Sequence, residues 1–182
     1  MSDHSSAAPL KQQPAKNQAK DTAQPLTGQL QIQHLYVKEQ SAKVHNAPAI
    51  FKQEAKPESS LELNVQNRLV AEHQFEVVLS LHLTLKLEQQ TALVVEVEQA
   101  GIFFLKDFSS VEQAFILGAY CPGVLYPYGR KIVSDLMLAA GFAPITAPPI
   151  NFEQMYHERQ QQQQAGKDTK QSPNQADLIT RQ

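Results

Sequence analysis

The sequence has a single cysteine, Cys121, and no tryptophan. One thiol cannot form a disulfide within the chain, and sparse cysteine fits a reducing compartment. Cys121 precedes a proline, and the next basic residue in the sequence is Arg130. Because a reactive thiol needs nearby positive charge to stabilise its thiolate, this setting favours a buried structural cysteine over a nucleophile.

Long apolar runs and an excess of basic residues are also missing. The N-terminus lacks the apolar core of a signal peptide, and no apolar run approaches the length of a membrane span. Residues 29–164 carry 14 acidic and 10 basic side chains, whereas nucleic-acid binders show a basic stripe. The sequence therefore predicts a soluble cytoplasmic protein with no nucleic-acid partner and no direct membrane insertion.

Recognisable catalytic motifs are absent as well. The sequence has no glycine-rich phosphate loop, no G-x-S-x-G nucleophile motif and no H-E-x-x-H zinc motif. Its six histidines do not pair at metal-ligand spacing. We expect no catalytic residue, no metal and no cofactor.

Composition divides the chain into three regions. Residues 1–28 and 165–182 are polar and poor in large apolar side chains, which predicts disordered tails. Residues 29–164 have the apolar content of one folded domain. Within that domain, every odd-numbered residue from Phe75 to Leu87 is apolar, and most even-numbered residues are polar. This period of two predicts a long strand, and a second such run from Thr91 to Leu105 predicts its hairpin partner.

Two earlier strands and later helices complete the predicted domain. Alternation near residues 30–38 and 61–66 predicts strands one and two. Ser109 and Glu112 have capping-box spacing, residues 120–123 suggest a break, and Pro127 can open the next helix. Four strands followed by helices predict an α+β fold with an antiparallel sheet. The helices look too short to cover the long strands, so apolar sheet surface is left for other chains.

Polar residues of the hairpin give the one enzymatic alternative. Glu96 and Glu98 share a strand face, and paired carboxylates can perform acid–base chemistry. A solvated acidic face is the commoner explanation of such a pair. His82 lies on the polar side of strand three, where an exposed strand histidine is the simpler interpretation.

Several segments resemble the SecB family of protein-export chaperones. They are TALVVEVEQAGIF, LGAYCPGVLYPYGR and APPINFEQMY, together with QIQHLYVKE and NAPAIF nearer the N-terminus. The resemblance runs from about residue 31 to residue 164. It implies a homotetramer built as a dimer of dimers, with helices between the dimers and external grooves for unfolded secretory precursors. It also implies delivery of these precursors to the SecA translocation ATPase, whose C-terminal zinc-binding tail is the expected docking partner.

The resemblance assigns site residues by position. SecA docking falls on strand four and around the loop after strand one, at Glu39, Val94 and Glu96, and Lys43 replaces a second acidic residue of the family pattern. Subunit-contact positions match Val95, Val97 and Gln99, for which internal core packing is the alternative. Client-binding positions match six apolar and aromatic residues: Ile50, Phe51, Phe103, Phe104, Phe152 and Tyr156. Ala55 takes the place of a family tryptophan.

These observations support an ATP-independent chaperone as the leading hypothesis. A small-molecule binding domain or an enzyme that uses Glu96 and Glu98 is the alternative. A purely structural oligomer is a third possibility. Preference for an unfolded over a folded precursor distinguishes the chaperone from both.

Overall fold

The computed structural model describes residues 28–145 and 147–168, with side chains described up to residue 162. The predicted disordered tails, residues 1–28 and 165–182, lie outside the described residues except for Gly28 and residues 165–168. Residues 165–168 belong to the final helix, which therefore extends past the predicted domain boundary at residue 164.

One antiparallel sheet of four strands forms the body of the protein, in the spatial order β1-β4-β3-β2. The strands are β1 Gln29–Val44, β2 Pro57–Ala71, β3 Gln74–Leu87 and β4 Gln90–Lys106. The predicted β3–β4 hairpin is confirmed, and Leu87 pairs with Gln90 across its turn. Strands β1 and β2 lie at opposite edges, so the segment between them, with the 3-10 turn Ala49–Lys52, crosses from one edge to the other.

Strand β1 is longer than the sequence pattern indicated. Its predicted end near Lys38 is wrong, because the strand continues to Val44. Register shifts between Ile32 and His34 and between Val37 and Glu39 interrupt its pairing with β4. Each bulge changes which face the following side chains occupy, so the period of two is lost although the strand continues.

Helices follow the sheet, as predicted. They are α1 Ser110–Phe115, a π-helical turn Ile116–Tyr120, α2 Cys121–Ala139 and α3 Phe152–Asp168. The capping box is confirmed: the Glu112 amide donates to Ser109 Oγ at 3.3 Å, and the Ser109 amide donates to Glu112 Oε2 at 2.8 Å. The α+β fold class is therefore confirmed.

The predicted break at residues 120–123 is wrong, because α1, the π turn and α2 follow one another without interruption. Pro122 directly follows the wider π turn, where the helical hydrogen-bond spacing changes from i→i+5 to i→i+4. Pro127 lies inside α2 and does not open it. The structure therefore presents one long helical segment where the sequence suggested two short ones.

The two faces of the sheet differ in character. On one face, here called the helix face, odd-numbered residues of β3 and β4 pack against α2 in the main core. At Gly129 the backbone of α2 comes so close to this face that a Cβ would lie 2.8 Å from Leu81 Cδ1. The opposite face, here called the open face, carries the even-numbered residues of β3 and β4.

Within the described residues, no helix is both long enough and apolar enough to cross a membrane.

Candidate docking and client-binding surfaces

The predicted docking residues meet on the open face. In the β1–β4 ladder, Glu39 is opposite Glu98, and Lys43 is opposite Val94. Glu96 follows on the same side of β4, so these residues lie close together. We call Glu39, Lys43, Val94 and Glu96 the docking patch. Glu39 and Lys43 lie within β1 itself, which corrects their expected position around a loop.

Carboxylates dominate the surroundings of this patch. Glu39, Glu96 and Glu98 help to line a shallow depression of about 210 Å³, which His82 also borders. His82 Nδ1 lies 3.2 Å from Glu96 Oε1, and Ser41 Oγ donates to Glu96 Oε2 at 3.4 Å. Such a concentration of negative charge favours a partner with basic side chains. His82 lies on the polar side of β3, as expected, with a side chain that is 43% exposed, but its contact with Glu96 depends on strand register and was missed.

Three of the six predicted client-binding residues are buried: Phe152 is 5% exposed and belongs to the main core, and two others have no exposed surface. Ile50 and Phe103 are both completely buried. Ile50 packs in a small cluster with Leu87 and Ala92, and Phe103 belongs to the main core. A side chain without exposed surface has no area to offer a client, so their expected position along a groove is not what the structure shows.

Phe51 and Phe104 lie at separate places on the surface. Phe51 is 51% exposed, and its ring centroid is 5.3 Å from that of Phe142. Phe104 is partly buried on the open face, with its ring centroid 5.8 Å from that of His73. Their expected role in client binding stays a prediction, and they do not form one site with the remaining two residues.

Phe152 and Tyr156 do share a site. Both line a groove of about 400 Å³ between strand β2, the π turn and α3, and its walls include the following residues: Val65, Leu117, Gly118, Met155 and Arg159. Tyr156 lies over Gly118, where an added Cβ would be 2.6 Å from the tyrosine ring. The absence of a side chain at Gly118 thus allows α3 to approach the π turn closely.

The three predicted subunit-contact residues are buried within one chain. Val95 and Val97 belong to the main core, and Gln99 is 3% exposed. Gln99 Nε2 donates to the Tyr36 carbonyl at 3.0 Å, next to the second bulge of β1. Internal packing, the alternative stated for these positions, accounts for their burial, and a role at a subunit contact stays a prediction.

A family model described as preprotein translocase subunit SecB matches residues 20–163. The chain belongs to the SecB family. The resemblance inferred from the sequence motifs is therefore confirmed.

Similar proteins agree with this assignment. A protein-export protein SecB from Nitrosococcus oceani is 46% identical over 139 residues, which are 75% of this chain and 85% of the relative. The SecB of Hahella chejuensis is 42% identical over 137 residues, covering 74% and 86% of the two chains. Among solved structures, the SecB-like chaperone of Mycobacterium tuberculosis, in complex with a ChAD peptide from an antitoxin, matches with a TM-score of 0.57. That match has 25% identity and covers 66% of this chain and 90% of the other.

Neither Cys121 nor the Glu96–Glu98 pair has the setting of a catalytic group in this SecB-family chain. Cys121 is completely buried, and burial raises the pKa of its thiol to about 12, so the predicted structural cysteine is confirmed. The Glu96 side chain is 59% exposed, on an open face. This exposure does not provide the water-excluded cleft that acid–base catalysis uses. Among the described residues, no group of three or more potential ligands could hold a metal ion.

A buried carboxylate is the feature that the sequence analysis missed. Glu76 occupies a polar position of the strand alternation, yet it is only 5% exposed. Arg68 Nε donates to Glu76 Oε2 at 2.6 Å, the Tyr36 hydroxyl donates to Oε1, and Lys38 Nζ lies 3.6 Å from Oε2. The hydrogen bonds from Arg68 and Tyr36 lower the pKa of Glu76 to about 2, and the Glu76 bond raises the pKa of Tyr36 to about 12. The cluster links β1, β2 and β3 across the open face.

The Glu76 cluster predicts an acid-sensitive contribution to stability. Because the folded-state pKa lies below the ordinary value, the stabilisation is complete above about pH 5 and is lost as the pH falls towards 2. Partly exposed Arg68 and Lys38 allow solvent screening, so we expect the unfolding free energy to fall by about 1 kcal/mol between pH 6 and pH 3 from this residue. Urea unfolding of Glu76→Gln at both pH values should show this loss reduced relative to wild type. An equal change at the exposed control Glu58→Gln would contradict the assignment.

Proposed function

We propose that this SecB-family protein is an ATP-independent cytoplasmic chaperone that holds unfolded secretory precursors and delivers them to the SecA motor. The observation that carries the proposal is the groove beside β2. Its lining includes apolar Val65, Leu117 and Met155 among polar residues, and β2 is an edge strand that pairs only with β3 within the described part of the chain. An unfolded precursor exposes both apolar side chains and free backbone groups. A groove next to a strand edge can bind both.

Peptide binding by a relative supports this step. The solved SecB-like chaperone from Mycobacterium tuberculosis is described in complex with a peptide. A holdase needs many weak contacts that tolerate sequence variation, and apolar side chains in an open groove provide them without a fixed hydrogen-bond pattern. Binding only the unfolded chain shifts a precursor's folding equilibrium towards the export-competent state.

The open face supports delivery to the motor. The docking patch lies across the sheet from α2, so client and motor surfaces are separated by the thickness of the sheet. Carboxylates around the patch favour a basic segment of the partner. Lys43 lies opposite Val94 and removes part of that negative charge, which gives the patch a mixed character.

The outward surface of α2 supports a tetramer. On the side of this helical segment opposite its buried residues, six positions recur at alternating spacings of four and three: Tyr120 at the end of the π turn, and Val124, Pro127, Lys131, Ser134 and Leu138 of α2. We call these six residues the outer stripe. Tyr120 is 46% exposed and Leu138 is 57% exposed, and this spacing is that of a helix–helix seam. Pairing of outer stripes would place helices between two dimers, and several grooves on one particle would raise client avidity.

Refolding of a secretory precursor tests the function. We expect the protein to form a particle of four times 20.3 kDa and to slow the refolding of a reduced, unfolded precursor added at matched stoichiometry. Light scattering gives the mass, and the recovery of native precursor fluorescence gives the refolding rate. The same precursor, already folded, is the control and should not bind. A 20.3 kDa particle that leaves refolding and aggregation unchanged would overturn the proposal.

A further inference from the structure

The segment between α2 and α3 is held by side chains of α2. Residues 141–145 and 147–150 form a strap without helix or strand that contains three prolines, and Pro148 and Pro149 have no amide hydrogen to donate. Two hydrogen bonds reach this strap from one face of α2. Tyr126 Oη donates to the Pro148 carbonyl at 2.7 Å, and Arg130 Nη1 donates to the Ala147 carbonyl at 3.3 Å.

These two donors also contact each other, and the pair reaches α3. Arg130 Cζ lies 5.9 Å from the centroid of the Tyr126 ring, within cation–π range. The Tyr126 ring lies 5.7 Å from the Phe152 ring at an interplanar angle of 66°, and both residues are 5% exposed. Phe152 is the first residue of α3. The strap and the start of α3 are therefore fixed by the same pair of side chains.

The position of α3 determines the shape of the groove. Phe152 and Tyr156 form part of its wall, whereas Tyr126 and Arg130 do not line it. Beyond Phe152, the main anchor of α3 is Tyr156, which packs on Gly118 and against Phe115 with ring centroids 5.6 Å apart. Loss of the strap bonds would leave this second anchor to hold the helix. The groove would then be free to widen at its Phe152 end.

We propose that Tyr126 and Arg130 are positioning residues for client binding, which hold Phe152 and the start of α3 against the groove through the strap carbonyls. They act without touching the client. This inference rests on the proposed chaperone function and adds to it the residues that set the geometry of the client site.

Removal of one hydroxyl group tests the inference. Tyr126→Phe keeps the ring and its contact with Phe152 but loses the bond to Pro148. Loss of a single neutral hydrogen bond changes an equilibrium constant by about 3- to 10-fold. We expect the dissociation rate of a bound unfolded precursor to rise by that factor. Arg130→Met should act in the same direction, and Arg130→Lys, which retains a cation, should restore part of the loss.

Three further measurements separate positioning from general stability. We expect an unchanged particle mass, unchanged affinity for a SecA tail peptide, and faster hydrogen exchange in residues 152–162 but not in β3 or β4. A lowered unfolding temperature with equal loss of client and SecA binding would indicate a merely structural role and overturn the inference. Unchanged client dissociation in folded Tyr126→Phe and Arg130→Met would also overturn it while leaving the chaperone function intact. Wild-type protein that holds no client would overturn both.

Discussion

Glu96→Lys should weaken binding of the SecA tail by about 10-fold or more while leaving client binding unchanged. Glu96 lies at the centre of the carboxylates on the open face, and its side chain is 59% exposed and available to a partner. Charge reversal removes one attractive pair and adds a repulsive one to a basic partner, in a surface that binding dehydrates. Titration calorimetry with the zinc-loaded tail peptide measures the effect, and precursor refolding measures client binding.

A matched charge reversal provides the control. Glu72, in the turn between β2 and β3, has a side chain that is 92% exposed. Glu72→Lys makes the same change in net charge away from the docking patch and should alter the affinity only slightly, through long-range effects that salt screens. Equal losses in Glu96→Lys and Glu72→Lys would show that overall charge, and not the patch, governs docking.

A substitution that adds negative charge to the docking patch should strengthen binding of the SecA tail. Lys43→Glu places a carboxylate across from Val94, and we expect the SecA tail to bind about 2- to 5-fold more tightly at low salt. The gain should shrink as ionic strength rises, because charges at the rim of an interface are screened. An affinity that is unchanged by Lys43→Glu would place position 43 outside the docked surface.

Strands β3 and β4 show what the sequence could predict. Leu79, Leu81 and Leu83 alternate with polar residues, and a period of two has one physical solution, a strand with one buried face. The same reasoning failed at Glu76. Its burial comes from Arg68 on β2 and Tyr36 on β1, and these residues reach it only after three strands have taken their register.

The helical region shows a second limit. Pro122 and Gly123 have the local chemistry of a chain break, but the π turn and the packing of α2 on the sheet carry the helix through them. Tertiary contacts thus outweigh local preference. Family positions likewise named Glu39, Val94 and Glu96, which the strand register brings to one face of the sheet. They could not separate exposed Phe51 from interior Phe103, since burial depends on packing across the sheet.

The outer stripe should be essential to the assembled particle. We expect the double variant Val124→Asp, Leu138→Asp to halve the particle mass, from four times to twice 20.3 kDa. Both residues lie on the outward surface of α2, and neither belongs to the main core, so neither substitution should disturb the fold of one chain. Burying two carboxylates without partners in a helix–helix seam costs several kcal/mol of association free energy, so the two dimers should separate.

Val111→Asp is the matched control for this double variant. Val111 is 76% exposed on α1 and lies off the outer stripe, so the same apolar-to-charged change should leave the mass unchanged. Mass photometry separates the two assembly states, and circular dichroism confirms that each variant keeps its fold. A double variant that still has four times the chain mass would show that the dimers meet elsewhere, because paired stripes cannot bury four new charges per seam. If the mass falls as expected, precursor dissociation should also quicken, since fewer grooves on one particle give less avidity.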